Sequence, residues 1–380
     1  MNYLTGGGVR MCAFVLVAAQ AALAQNGVKP DRIVIGQCAA LSGPASWLGT
    51  ETRNGLKAAF DEVNAKGGVH GRRIVLESSD DGYEPEKCVD CTAKLLDGDV
   101  FALAGYVGTP TAKVAAPIVK ELKVPLIGLF TGAMLLRQPV ERYVINIRAS
   151  YDDETEALAG YLFGKGLKKI AVFYQNDSFG QAGLSGTEKA LAKRQSPLAA
   201  KGSFERNTIA VKSGLATVMG AAPDAVIVVA PYQPAAQFVR EARAAGLKAA
   251  IATISFVGTE NLIAELGAEA DGLIISQVVP PPSGGDSPLA AQYRAALQQS
   301  APRAAPTYVS LEGYLNGRVL VAAIEKSGAD PTREKLIDAV ESFAGMDFGG
   351  VKISFSSNNH QGSSTVFLTR VAGGNAQPIQ

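Results

Sequence analysis

From Arg32 onward the chain alternates short apolar runs with amphipathic segments of helical period, and no other property restricts its fold so tightly. IVIGQCAA, from Ile33, is followed by the loop LSGPASWLG and a helix over 50–64, after which GGVHGRRIVLESSDD turns into a second strand. EPEKCVDCTAKLLDGD reads as a helix. FALAGYVGTPT, residues 101–111, supplies a third strand over 101–106 that breaks at Gly108 into Thr109-Pro110 and the helix TAKVAAPIVKELK, and VPLIGLF is a fourth strand. Strands that are apolar throughout, alternating with helices, predict a parallel sheet covered on both faces. Gly67-Gly68 closes the first helix, as a residue free to adopt positive φ should.

After YVINIRA the same rhythm restarts. Helices over 153–163, 179–193 and 209–219 alternate with the strands KKIAVFYQ, 199–204 and DAVIVVAP, followed by the helix PAAQFVREARAAG, the strand AAIATIS, the helix TENLIAELG and the strand GLIISQVVP. This is a second α/β unit of similar size. The run PPPSGGDSP, 280–288, is the clearest linker. Helices over 289–298, 309–326 and 333–343 and two short strands near 351–355 and 365–371 complete the chain.

The N-terminus carries Arg10, an apolar run over 11–19 and the small-residue end Ala22-Leu23-Ala24, the pattern of a secretory signal peptide cleaved after Ala24. The run is too short for a stable span, so the expected product is a soluble periplasmic chain, a monomer of 356 residues in two lobes. Removing Arg10 leaves 35 basic and 35 acidic residues without basic clusters, which argues against nucleic acid or an anionic membrane as partner.

Cys38, Cys88 and Cys91 survive cleavage, an odd number. Cys88 and Cys91 fall within a helix rather than a strand-to-helix redox turn, so a buried pair or local disulfide is expected there. The two histidines, His70 in GGVHGR and His360 in NNHQG, read as solvated turn residues, and neither a metal centre nor a cofactor is expected.

Thr109 is placed to cap the helix that follows it, with Pro110 at the first helical position. The remaining free amides of such a junction, at the carboxyl edge of a parallel sheet, suit an anionic or polar ligand.

Seven segments in order carry a resemblance: LSGPASWLG, GLKAAFDEVNAKGGVHGRRI, DDGYEP, GYVGTPT, DSFGQAG, PYQPAAQFVREARAAGLK and PTYVSLEGYLNG. Together they resemble the type I periplasmic solute-binding proteins of ABC transporters, in the group of the leucine/isoleucine/valine-binding protein. The resemblance implies two doubly wound α/β lobes joined by a three-strand hinge. Lobe one would be 27–147 plus 280–345, and lobe two 148–279 plus 346–380. It also implies a small carboxylate-bearing ligand, an amino acid or an aromatic or aliphatic acid, held between the lobes and delivered to an ABC permease in the inner membrane.

By the same resemblance, Thr109 and the turn Phe130-Thr131-Gly132 hold the ligand carboxylate; plain helix capping is the other reading of both threonines. Amino-acid binders of the group place a carboxylate for the ligand ammonium where this chain has Ser255. Asp152, Asp177 or Glu260 then replaces it, or the ligand lacks the amine, which is the preferred expectation. Trp47, Tyr83, Tyr151, Phe179, Tyr232 and Tyr308 are expected in loops at strand ends and are candidate cleft walls.

Two rival classes stand beside transport. A hydrolase would need a base or nucleophile motif that this chain lacks, since there is no GxSxG and no metal-spaced histidine pair. A sensor presenting its ligand to a membrane receptor would differ only in partner.

Overall fold

The computed structural model describes residues 26–284 and 286–379; the expected signal peptide lies outside them. The first sheet is built by β1 (Arg32–Ala39), α1 (Ser46–Ala65), β2 (Arg73–Asp80), α2 (Pro85–Asp97), β3 (Ala102–Ala104), α3 (Thr109–Leu122), β4 (Leu126–Ile127) and β5 (Val144–Ile145). Its strands lie in the order β2-β1-β3-β4-β5, all parallel.

The second sheet starts with α4 (Tyr151–Gly164), β6 (Ile170–Gln175), α5 (Ser178–Ala192), β7 (Lys201–Phe204), α6 (Lys212–Gly220) and β8 (Ala225–Val229). It continues with α7 (Tyr232–Ala244), β9 (Ala250–Thr253), α8 (Thr259–Leu266) and β10 (Ile274–Gln277). The chain then returns to the first sheet as α9 (Pro288–Ser300), α10 (Tyr308–Lys326) and α11 (Arg333–Glu341), with α9 and α10 packed on α1. A hairpin of β11 (Ala344–Asp347) and β12 (Lys352–Ser354) follows, and β13 (Phe367–Ala372) and β14 (Asn375–Pro378) join the second sheet antiparallel at its β10 edge.

The central strands β3, β6 and β8 are buried along their whole length, which is why their sequences lack the alternation of a one-sided sheet. Three crossings link the halves: after β5, after β10, and between β12 and β13, where Gln361 pairs in parallel with Asn146. This is the expected pair of α/β lobes.

Four expectations need correction. Phe348, Ile353 and Phe355 pack in the core beneath the first sheet, so the stretch from 346 to 355, expected in the second lobe, belongs with the first. Cys91 forms a disulfide with Cys38 on β1, not with its helical neighbour Cys88, which is a buried free thiol. Side chains three apart on one helical face both look toward β1, and only one finds a partner there. His360 is only 2% exposed, its Nδ1 beside the Glu141 and Val144 carbonyl oxygens and its Nε2 3.1 Å from Glu341. The turn carrying it is folded under the crossing strands, a long-range packing that its NNHQG context does not announce.

The fourth concerns Thr109. Gly108 is the N-cap of α3, with φ of 98°, and Thr109 is already helical with no side-chain bond to a backbone amide of the first turn. Positive φ at Gly108 turns the chain directly from strand into helix, which moves the helix start one residue upstream.

Candidate functional site

The carboxyl ends of β3 and β4 do not part company where the strands stop. Val107 and Phe130 form one further parallel bridge, with the Phe130 amide donating to the Tyr106 carbonyl at 2.8 Å and the Gly108 amide to the Phe130 carbonyl at 3.1 Å. This holds the two following loops side by side. Thr109 on one and Thr131 on the other are fully buried, with their hydroxyls hydrogen-bonded at 2.6 Å. The Ala133 amide also donates to the Thr131 hydroxyl at 3.3 Å.

Aromatic side chains from both sheets close over this pair. Tyr83 lies against Gly108, where a Cβ would sit 2.2 Å from the ring, and Tyr151 lies against Gly132, where a Cβ would sit 2.4 Å from it. Phe256, carried on the loop after β9, is the keystone: its ring is 4.4 Å from Phe179, 5.2 Å from Phe130 and 6.1 Å from Tyr83, centroid to centroid. The rings of Tyr83, Phe130, Tyr151, Phe179 and Phe256 are all buried. Trp47 and Tyr232 meet edge to face at 6.2 Å, with Trp47 half-buried.

Sequence reasoning put the candidate aromatics in loops. Trp47, Tyr151, Phe179, Tyr232 and Tyr308 instead occupy the first two positions of α1, α4, α5, α7 and α10, and only Tyr83 is in a loop. Helices begin so soon after the strands that the cleft-facing residues are helix starts, the geometry that makes such ends suited to ligands.

Behind the Thr131 turn sits a buried charge network. The Arg148 guanidinium donates to Glu154 at 2.6 Å, reaches Glu312 at 3.4 Å, bonds the Ser255 hydroxyl and lies over the rings of Phe130 and Tyr151. Glu154 also accepts from the Ser255 amide at 2.8 Å and the Ser276 hydroxyl at 2.6 Å, so its oxygens are committed. Burial pushes the more distant Glu312 carboxyl up to about 7 despite Arg148. Arg137, 3% exposed, donates to the carbonyls of Thr131, Ala133 and Arg148.

Ser255 is thus buried and engaged with this network, and none of its expected substitutes is a free carboxylate beside it. Asp152 pairs with Lys189 at the surface. Asp177 caps α5 through the Phe179 and Gly180 amides and pairs with Arg206. Glu260 accepts from the Tyr308 amide at 2.9 Å. Sequence reasoning missed Glu154, Arg148 and Phe256. The residue after Ser255 being aromatic was the one available sign for Phe256; nothing local marks Arg148 or Glu154, whose pairing depends on the crossing strand lying over α4.

Polar contacts also cross between the sheets at the rim. Gln175 donates to the Tyr83 hydroxyl at 3.2 Å, Arg206 to Glu84 at 2.7 Å, and Asn207 to Glu84 at 2.6 Å. With the aromatic contacts, these describe a closed arrangement. The inner crevice bounded by Phe130, Ser255, Gln277, Tyr308 and Glu312 is too tight for a water molecule.

Comparison with known proteins agrees with this architecture. The family described as "Periplasmic binding protein" matches residues 32–376. A Leu/Ile/Val-binding protein of Rhizobium johnstonii is 31% identical over 163 residues, 42% of this chain and 43% of that one. The crystal structure of a possible leucine/isoleucine/valine-binding protein from Rhodopirellula baltica superposes with a TM-score of 0.89 at 38% identity, covering 92% of this chain and 96% of that one. A fatty acid ABC transporter substrate-binding protein from Thermomonospora curvata gives a TM-score of 0.85 at 25% identity, covering 94% and 93%. The relatives are binding proteins rather than enzymes. The chain belongs to the periplasmic binding proteins and is a periplasmic solute-binding protein of the leucine/isoleucine/valine group.

Proposed function

We propose that this chain is the exported binding component of an ABC transporter, capturing a small carboxylate with an apolar body between its lobes and delivering it to an inner-membrane permease. The observation that carries the reading is the meeting of the Thr109 and Thr131 hydroxyls at two adjacent strand ends. In the ligand-bound state each hydroxyl turns to the carboxylate, joined by the Gly132 and Ala133 amides. Each charge-assisted bond contributes about 1.5–3 kcal/mol. Arg137 behind the turn, bonded to carbonyl oxygens rather than to a carboxylate, favours an anion in the same region, whereas Arg148 is balanced by Glu154 and Glu312.

The ligand lacks an α-amino group in this reading. Ser255 offers no charge, Glu154 is saturated by Arg148 and two serines, and an unpaired buried ammonium would cost several kcal/mol. Tyr83, Tyr151, Phe179 and Phe256 would surround an aromatic or branched body, with Trp47, Tyr232 and Tyr308 toward the rim. A fatty-acid binder of the same fold is consistent with a carboxylate that carries no amine. Ligand contacts with both lobes favour closure, since only interactions that differ between open and closed forms move that equilibrium.

The test is a thermal-shift screen of refolded, ligand-stripped protein against aromatic and aliphatic carboxylates, their amides and the corresponding amino acids. Stabilisation by carboxylates and not by amides is expected. Stabilisation by amino acids alone would refute the amine-free reading, and turnover of a bound compound would refute the non-enzymatic one.

A further inference from the structure

Arg148 stands between two carboxylates that come from opposite lobes. Glu154, on α4 of the second lobe, accepts from it at 2.6 Å and is further satisfied by the Ser255 amide at 2.8 Å and the Ser276 hydroxyl at 2.6 Å. Glu312, on α10 of the first lobe, receives only one nitrogen of the same guanidinium, 3.4 Å from each of its oxygens. All three side chains are at most 4% exposed. Among the described residues no other group donates to Glu312, which lines the inner crevice between the lobes together with Phe130, Ser255 and Tyr308.

One guanidinium shared in this way does not fully compensate two buried carboxylates, since a buried charge is costly unless it is both paired and hydrogen-bonded. The charged groups facing Glu312 are Arg148 on the crossing after β5, Glu154 on α4 and Arg137, which follows the short helical turn after β4. Arg137 acts on it only through space, its own donors being spent on backbone carbonyls and Gln361. Tyr308, the remaining titratable group of the crevice, is kept neutral by burial. Desolvation, with Glu154 acting in the same sense, outweighs the attraction of the two arginines and raises the Glu312 carboxyl to about 7. Ligand capture pushes further in that direction. An anion at Thr131, the residue after the Phe130 wall of the same crevice, adds like charge, and closure keeps water out of it.

We infer that Glu312 is the proton site of the cleft: one proton from solvent settles on its carboxyl as the ligand carboxylate is captured and the lobes close, so that ligand and proton are taken up together. The neutral carboxyl keeps the Arg148 bond through its carbonyl oxygen, while Glu154 keeps its own bonds to Arg148, Ser255 and Ser276. With Glu312 neutral, Arg137, Arg148 and Glu154 together carry one net positive charge, which meets the one negative charge of the ligand. The linkage is reciprocal, protonation strengthening ligand binding by the same factor as the ligand strengthens protonation. Affinity is therefore highest on the acid side of about 7 and falls as pH rises above it. This rests on the carboxylate reading of the cleft and adds the proton to it.

The experiment is calorimetric titration of the full mature chain with benzoate, isovalerate and octanoate, and with leucine in parallel, in buffers of different ionisation enthalpy. For a carboxylate that binds, wild-type affinity should fall about tenfold from about pH 6 to about pH 9, and the apparent enthalpy near about pH 7.5 should vary with buffer in the sense of proton uptake, about half a proton per ligand. Glu312→Gln, which still accepts from Arg148 through its amide oxygen, should bind with one affinity across that range and with a buffer-independent enthalpy, a change that a merely structural role would not produce. The wild-type buffer dependence needs no variant to be read. A flat affinity and buffer-independent enthalpy in wild type, or undiminished proton uptake in Glu312→Gln, would overturn the inference and leave the carboxylate reading standing. Leucine binding with proton release, the sign of an ammonium seated on Glu312, would overturn both, as would absence of binding by all three carboxylates at every pH.

Discussion

The hydroxyls of Thr109 and Thr131 are 2.6 Å apart although 22 residues separate them, because the β3–β4 ladder continues one bridge beyond both strands. The Thr109 hydroxyl bonds no backbone amide of its helix and the Thr131 hydroxyl accepts only the Ala133 amide, at 3.3 Å, so the 2.6 Å bond between the two hydroxyls is the shortest either makes. In the proposed reading, an anion at this point meets two reorientable hydroxyl donors.

Arg148 and Glu154 set the stability of the wall behind that point. Arg148→Met would leave the Glu154 carboxylate buried without its cation, at a cost of about 3–5 kcal/mol. Urea unfolding should register the loss, and Arg148→Met combined with Glu154→Gln should recover part of it. A single variant as stable as wild type would show that the pair carries no such weight.

Glu84 holds Arg206 and Asn207 across the rim, and these groups are partly exposed. Glu84→Ala should therefore change stability by no more than about 1 kcal/mol while raising the ligand dissociation rate, since the bonds exist only in the closed form. Stopped-flow fluorescence of Trp47, the single tryptophan, follows it. An unchanged dissociation rate would remove Glu84 from the closing contacts.

The Glu260 carboxyl is raised by burial from 4.5 to about 7, so the folded chain holds its proton more tightly than the unfolded one. Its stabilising contribution is complete below pH about 4.5 and is lost as pH rises through about 7. Carboxyls lowered on folding, such as Asp80 and Glu334, act in the opposite sense but finish titrating below their ordinary values of 3.8 and 4.5. Melting temperature should thus decline between pH 5 and 7, roughly, with a shallower decline in Glu260→Gln. Burial raises Glu312 to about 7 and Asp81 to about 6, so both contribute to the same decline, and identical slopes would mean that Glu260 contributes none of it.

Much of this architecture is legible in sequence because it follows from local pattern. The two-unit α/β alternation appears in the apolar strands and amphipathic helices, and Thr109, Thr131 and most of the cleft aromatics appear as residues at strand ends. What stays hidden depends on distant partners. Cys88 and Cys91 look equivalent on their helix, and only the position of Cys38 on β1 decides between them. The burial of His360 depends on the third crossing lying against Asn146. The Arg148–Glu154 pair, six residues apart, is meaningful only once Ser255 and Ser276 arrive from strand ends a hundred residues further on.

The Cys38–Cys91 disulfide closes a loop of 53 residues, for which the chain-entropy relation gives about 4 kcal/mol. Cys38→Ser should lower stability by up to that amount, whereas Cys88→Ser removes no cross-link. Peptide mapping under non-reducing conditions should recover Cys38 joined to Cys91. A Cys88–Cys91 peptide would contradict the pairing.

The central claim is that two hydroxyls from adjacent strand ends hold a carboxylate in a closing cleft. Titration calorimetry of Thr109→Ala/Thr131→Ala against the carboxylate that most stabilises wild type tests it directly. The account predicts a loss of affinity of at least about a hundredfold, two charge-assisted bonds, with unfolding of the apo protein little changed. Wild-type affinity in that double variant would contradict it.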